Sequence, residues 1–384
     1  VPDSQEACVR AEALVEQALA AHGLQVLLKR RVPVNHDAIR PAAVRSQLPM
    51  MQWVFADLAS TSGGTELEAL CYRALLAIEA RAFTEAQFTG LYPVSLSSRT
   101  QVYKGRLNSN EVIPYFEDLR DPDQAVSSLF FHTRFSTNTD PHASMAQPFR
   151  MMAHNGELNT DRKNRIAENA LALARGKTII RPKGQSDSSR LDQTIHSRLM
   201  EDGLDLIQAV VSMMPPAWEN DTALSPRVRA MLEYFSLYEE KNDGPAALIF
   251  GNGDVIGARL DRLGLRPLRS VETAEYLCAM SEAGQIAFPP ETVLRRGRIE
   301  AGGMLYFDHR EKRAYATLDA LEKLAAEQDY PALLAQARVN LADLPEIPAE
   351  QQGNPLRYRG DFQRYQRFVA YYYNQESFKF MMDP

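Results

Sequence analysis

Ala246-Ala247-Leu248-Ile249-Phe250-Gly251-Asn252-Gly253-Asp254-Val255-Ile256-Gly257-Ala258 decides the fold class. Two apolar runs of strand length flank a Gly-Asn-Gly-Asp cluster that supplies the backbone freedom of a tight turn, so the runs pair antiparallel as a hairpin. A second hairpin follows, with Met304-Leu305-Tyr306-Phe307 turning near His309-Arg310 into Ala314-Tyr315-Ala316. Gly251 and Gly253 lack a third glycine and a following helix, so this is a hairpin turn and not a dinucleotide-binding loop.

Outward from the hairpins, toward the N-terminus, the period changes. Ser4 to His22 carries Cys8, Ala11, Leu14, Val15, Ala18 and Leu19 at helical spacing, after Asp3 or Ser4 as N-cap and before Gly23. Strands are expected from Leu24 toward Val34 and from Gln52 to Phe55, then a turn at Ser60 to Gly64 and a helix from Glu66 to Ala82. Tyr92 to Gly105 and Ser127 to Ser136 read as buried strands, and Asp161 to Arg175 and Ser188 to Met200 as helices. Beyond Thr317 the pattern is helical and charged. It passes Pro345, Pro348 and Pro355 and resumes in Gln363 to Met382, where Tyr371-Tyr372-Tyr373 faces either a partner domain or the chain's own core. Helices, strands, helices and then hairpins spell an α+β fold with antiparallel sheets, not a doubly wound parallel sheet.

Composition narrows the function. The 384 residues are 45% hydrophobic and 24% charged, the make-up of a folded chain. Lys and Arg number 43 against 49 Asp and Glu, a formal net charge of −6, which disfavours a nucleic-acid partner. Cys8, Cys71 and Cys278 are too scattered for a disulfide framework or a zinc site, and His132, His142 and His154 lack ligand spacing. No metal is expected. The absence of a spanning apolar run or a signal-peptide plan points to a cytoplasmic chain with no membrane partner.

Chemistry concentrates in His132-Thr133-Arg134-Phe135-Ser136-Thr137-Asn138-Thr139 and in Gln147-Pro148-Phe149-Arg150-Met151-Met152-Ala153-His154-Asn155-Gly156-Glu157-Leu158-Asn159-Thr160. Arg134, at the end of an apolar run, suits either a structural salt bridge or a two-point grip on a carboxylate. Asn155-Gly156 is either an Asn-Gly turn or a pair of donors, one side-chain amide and one unobstructed N–H, for a developing oxyanion. Ser186-Asp187-Ser188 is a natural helix cap, and an acid there can also take an ammonium group.

These two blocks, with Ser186-Asp187-Ser188, Asp243-Gly244-Pro245-Ala246-Ala247 and Leu260-Asp261-Arg262-Leu263-Gly264-Leu265-Arg266-Pro267, strongly resemble the amidotransferase domain of glutamate synthase large subunits. Supporting blocks are Ser95 to Thr100, Val102 to Gly105 and Pro216 to Asn220, in the family's order from about Leu24 to Leu344. The resemblance implies a class II glutamine amidotransferase with the N-terminal-nucleophile fold, a four-layer αββα sandwich of two antiparallel sheets. Residues 1–344 would form this domain, incomplete at its N-terminus, and 345–384 a linker and helix leading to the next domain.

Carried over position by position, the resemblance puts the glutamine α-carboxylate on Arg134, the α-amino group on Asp187 and the oxyanion on Asn155 and Gly156. It implies an N-terminal cysteine nucleophile, which would lie upstream of Val1, so the chain alone is expected to be inactive. Ammonia would pass to 2-oxoglutarate in a synthase domain or partner subunit holding FMN and an iron–sulfur cluster, with no cofactor in this segment. Asp140 to Met145 and Glu239 to Asn242 depart from the family's usual residues, which suggests a divergent branch. Two alternatives stand beside this reading: a glutamine-binding or scaffolding subunit without a nucleophile, and an amidotransferase subunit serving another ammonia acceptor.

Overall fold

Helix α1 (Gln5–Ala21) starts at Ser4, whose hydroxyl accepts the Ala7 N–H, and stops before Gly23, which takes the left-handed backbone. This computed structural model describes residues 1–2, 4–57, 64–133 and 142–346. Strand β1 (Leu24–Arg31), the single turn α2 (Pro41–Val44), strand β2 (Met51–Asp57) and helix α3 (Thr65–Ala82) follow. β1 and β2 pair antiparallel. The apolar stripe of α1, Ala11, Leu14, Val15, Ala18 and Leu19, packs on Cys71, Ala74, Ile78 and Ala82 of α3, with Trp53 and Phe55 of β2 against the same cluster. This is the helical spacing seen in the sequence, now spent on burial.

After the single turn α4 (Val112–Tyr115) come β3 (Met152–Gly156), α5 (Asp161–Ala174), α6 (Asp187–Glu201), α7 (Leu206–Met213) and α8 (Pro226–Ser236). The hairpin strands are β4 (Ala246–Gly251) and β5 (Val255–Leu260), then β6 (Arg269–Thr273), β7 (Leu277–Met280), β8 (Val293–Arg298), β9 (Met304–Asp308) and β10 (Arg313–Ala316), closed by α9 (Thr317–Ala326) and α10 (Tyr330–Ala337). Both expected hairpins are present. One sheet runs β10-β9-β5-β4-β3 and another β7-β6-β8, and every strand pairing among the described residues is antiparallel. The fold is α+β.

Period-two alternation gives the five-stranded sheet two apolar faces. Met152, Leu248, Phe250, Met304 and Tyr306 pack on α6 to α9, while Ala247, Ala258, Leu260 and Leu305 pack with Leu268 and Ile299. Helix α7 is buried on all sides, its only polar side chains being Gln208 and Ser212 on one face.

One expected strand did not form, and the described part of another, 127–133 of Ser127 to Ser136, is not a strand. Tyr92 to Gly105 and residues 127–133 are irregular, and Leu129 and Phe131 are 73% and 55% exposed. A strand exists only when another backbone meets its N–H and C=O groups, and no ladder partner lies beside these segments among the described residues. Instead both line a cavity of about 1420 Å³, together with Trp53 and Phe55. The turn at Ser60 to Gly63, Arg134 to Ser136 and the helix expected at Gln363 to Met382 lie outside the described residues. The chain divides into a unit Val1–Gln336 and a second unit Ala337–Pro384.

Candidate functional site

Asn155 and Gly156 close strand β3, paired with Ala247 and Ala246 of β4. They do not form a turn, because the chain stays extended into Glu157, whose N–H donates to the Pro245 carbonyl at 3.0 Å, and Asn159, whose N–H donates to the Asp243 carbonyl at 2.7 Å. Glycine is compulsory here. Gly156 has φ +144°, and a Cβ on it would sit 1.7 Å from the Pro245 carbonyl oxygen; across the seam Gly244 has φ +131°, and its Cβ would sit 2.2 Å from the Glu157 carbonyl oxygen. The two glycines let two backbones cross at a distance no side chain allows.

Ladder geometry fixes which groups are offered. The bonds from Glu157 to Pro245 and from Gly251 to Met151 make the odd-numbered residues of β3 face β4, so the even-numbered N–H groups, that of Gly156 included, turn to the strand's outer edge. Side-chain alternation puts His154 on the α6 face and Asn155 on the other, half-buried at the strand end.

Asp187 opens α6. Ser186 is the N-cap, its hydroxyl accepting the Ser189 N–H at 3.1 Å, as the sequence led us to expect of this Ser-Asp-Ser run. The Asp187 carboxylate reaches back to the other element: Oδ2 accepts the Leu158 N–H at 3.1 Å, two residues past Gly156, while Oδ1 accepts the Ser188 N–H at 2.6 Å and the Ser188 hydroxyl at 3.2 Å. Asn155, Gly156 and Asp187 therefore come together at one end of β3. Arg134 lies outside the described residues.

Beneath them α6 is pinned by buried charge. Arg190, 1% exposed, donates to Asp161 and Glu168 of α5, each at 2.6 Å, and to the Asn242 side chain. A charge this deep is tolerable because each carboxylate and the amide are met by a fixed donor fork. Asp192, two residues on, accepts the Met151 N–H at 2.8 Å and so ties α6 to the start of β3. Burial pushes the Asp192 carboxyl up despite the neighbouring Arg150 guanidinium.

Sequence reasoning gave His142 and His154 only a solvated or hydrogen-bonding role, which the structure fills, and passed over Gln147. His154 is buried, with Nδ1 2.9 Å from the Ser188 hydroxyl, and burial drops its pKa to about 4 against the opposing pull of Asp187, so the ring is neutral. Gln147 bonds the His154 backbone through both ends of its amide. The signal was available in the alternation of Met152 to Gly156, which sets His154 on the helix side, opposite the serine that follows Asp187. His142 has a hydrogen-bonding part of its own, with Nδ1 2.6 Å from the Ser144 hydroxyl. Among the described residues no group of three His, Cys, Asp or Glu side chains is placed to hold a metal ion, and no helix is long and apolar enough to cross a membrane.

Comparison with known proteins agrees with the motifs. A family model described as glutamine amidotransferases class-II matches residues 1–333. The chain is 32% identical over 351 residues to a chloroplastic ferredoxin-dependent glutamate synthase of Oryza sativa subsp. japonica, covering 88% of this chain and 22% of that protein. It is 35% identical over 357 residues to the glutamate synthase [NADPH] large chain of Bacillus subtilis, covering 90% of this chain and 23% of that one. The chain thus spans about a fifth of the length of these relatives. Among solved structures, the allosteric regulatory enzyme of purine biosynthesis aligns with 48% of this chain and 33% of its own at 17% identity and a TM-score of 0.30.

Proposed function

Because this chain belongs to the class-II glutamine amidotransferases, we propose that it holds L-glutamine at the open end of β3 and supports release of ammonia from the side-chain amide. The observation that carries this reading is the bond from Leu158 N–H to Asp187, which sets a carboxylate beside the Asn155-Gly156 donors. In this proposal Asp187 takes the α-ammonium and Arg134 the α-carboxylate, the latter by a bidentate grip. The Asn155 amide and the Gly156 N–H stabilise the charge that develops on the side-chain oxygen as a thiolate attacks the amide carbon. Strengthening as that charge grows, these bonds lower the barrier rather than the substrate's ground state.

The attacking thiolate is assigned to a cysteine other than the three in this sequence. Cys71 is packed in the α1–α3 core with its thiol pushed up to about 12 by burial, Cys8 is raised by burial and Glu12, and Cys278 is raised by burial on β7. Raised thiols are poor nucleophiles at neutral pH. Placed on three different elements, the same residues make no iron–sulfur ligand set. We assign residues 1–344 to the amidotransferase domain, completed as a four-layer αββα sandwich, and 345–384 to the connection onward. Ammonia would be used by a glutamate synthase-type domain or subunit that makes glutamate from 2-oxoglutarate with FMN and an iron–sulfur cluster of its own.

Titration calorimetry and ammonia release on the intact protein test this. L-glutamine should bind, Arg134→Lys should raise KM at least about tenfold, and Asn155→Ala should lower kcat about 100-fold with KM little changed. An intact protein that binds no glutamine removes the reading, and the opposite kinetic split reverses the assigned roles.

A further inference from the structure

His154 stands between the donor half and the carboxylate half of the site, and the chemistry above leaves it without a part. Its backbone is held in an unusual way. Among the described residues β3 is the outer strand of its sheet, and the alternation sends the His154 N–H and C=O away from β4. One side chain meets both: Gln147 Oε1 accepts the His154 N–H at 2.6 Å, and Gln147 Nε2 donates to the His154 carbonyl at 3.0 Å. A primary amide has one acceptor and two donors in a single plane, so it replaces a neighbouring strand for the length of one residue. That residue is the one before Asn155.

The imidazole faces the other way. Ser188 Oγ lies 3.2 Å from Asp187 Oδ1 and 2.9 Å from His154 Nδ1. The hydroxyl has one hydrogen; given to Asp187, which only accepts, it leaves the serine oxygen to accept from the imidazole. In that arrangement the proton of the neutral ring is on Nδ1. Nε2 is buried and has no hydrogen-bond partner among the described residues, on a side chain 3% exposed. A packing role would favour an apolar side chain there, since an unsatisfied buried nitrogen is destabilising.

We propose that His154 is a positioning residue that couples the two halves of the site: Gln147 clamps its backbone and so sets Asn155 and Gly156, while its imidazole, through Ser188, orients the Asp187 carboxylate. This inference rests on the glutamine reading. Ser188→Ala and His154→Ala should each raise the glutamine KM and Kd about five- to tenfold with kcat within twofold, because both loosen the ammonium ligand and neither touches the donors. The double variant should be no worse than either single one, since both cut the same line. A merely structural residue would reduce the folded fraction, which scales kcat and leaves KM alone. Gln147→Met should show the reverse split, with kcat per calorimetrically counted site down about tenfold and KM within twofold. His154→Asn retains a donor near the Nδ1 position and should stay close to wild type, which guards against misfolding of the alanine variant. Unchanged KM in Ser188→Ala and His154→Ala, or additive losses in the double variant, overturns the coupling while leaving the glutamine site intact. Wild-type protein that fails to bind glutamine overturns the parent reading and this one with it.

Discussion

Met152–Gly156 and residues 127–133 each carry two or three apolar residues followed by a histidine and a polar residue, and the second ends one residue before Arg134. Their backbones are satisfied in different ways. In β3 the odd-numbered residues bond to β4, and at the outer edge Phe149 N–H meets the Met152 carbonyl while the Gln147 amide meets His154. Residues 127–133 join no ladder, and Leu129 and Phe131 are left largely in solvent beside the large cavity. An apolar run becomes a strand only where the rest of the chain brings a backbone, or a stand-in for one, to its edge.

The most severe way to break the ordered side of this contrast is Gly156→Ala. A Cβ 1.7 Å from the Pro245 carbonyl oxygen cannot be accommodated by rotating a side chain, because both sides of the clash are backbone. With the positive φ added, the loss should exceed about 4 kcal/mol, enough to unfold many domains. Chemical denaturation checks this: a variant that folds with less than about 1 kcal/mol lost would mean that the β3–β4 seam is looser than described.

How much of this was readable in advance follows the same division. The hairpins at Gly251 to Asp254 and near His309 were legible because local turn chemistry and period two point to one answer, and α1 and α3 because their apolar residues recur at helical spacing. The cap at Ser186 was legible, and Asn155, Gly156 and Asp187 were named as candidates from residue type and motif. What stayed hidden was long-range. Nothing local says that the Asn155-Gly156 pair would be extended and not turned; that depends on Pro245 and Gly244, about ninety residues on. Gln147 as a strand substitute, and the failure of Tyr92 to Gly105 to become a strand, likewise depend on which backbones arrive alongside.

A smaller effect should appear in acid. His196 of α6 is buried against Tyr72, ring centroids 4.7 Å apart, and burial with the Arg150 charge lowers its pKa from 6.5 to about 3. The unfolded chain therefore takes a proton near pH 6.5 that the folded chain refuses until about pH 3, so stability is fully present above about 6.5 and falls as the pH drops through that window. His154 acts in the same direction between about 6.5 and 4. At about 1.4 kcal/mol per pH unit for one such group, the loss by pH 4.5 is on the order of 2 to 3 kcal/mol for His196 alone. His196→Phe keeps a ring beside Tyr72 and removes the titration, so its stability should decline less between pH 6.5 and 4.5. A decline parallel to that of the wild type would place the acid sensitivity elsewhere.

The smallest effect belongs to the unpaired stretch, and a matched pair of deletions sharpens the contrast. Phe250 of β4 is 0% exposed in the core beneath the sheet, whereas Phe131 is 55% exposed. Truncating a core phenylalanine removes its transfer free energy and leaves a cavity, a loss of about 3 to 5 kcal/mol. Phe131 has surrendered less than half of its surface and its removal opens no enclosed void, so Phe131→Ala should cost under about 1 kcal/mol by the area it buries. Both variants exchange the same side chain, so the difference between them isolates surroundings from residue type. Equilibrium denaturation of the intact protein gives both numbers. A Phe131→Ala loss close to that of Phe250→Ala would show that residues 127–133 are covered in the intact protein, and the stretch would then join β3 as ordered framework.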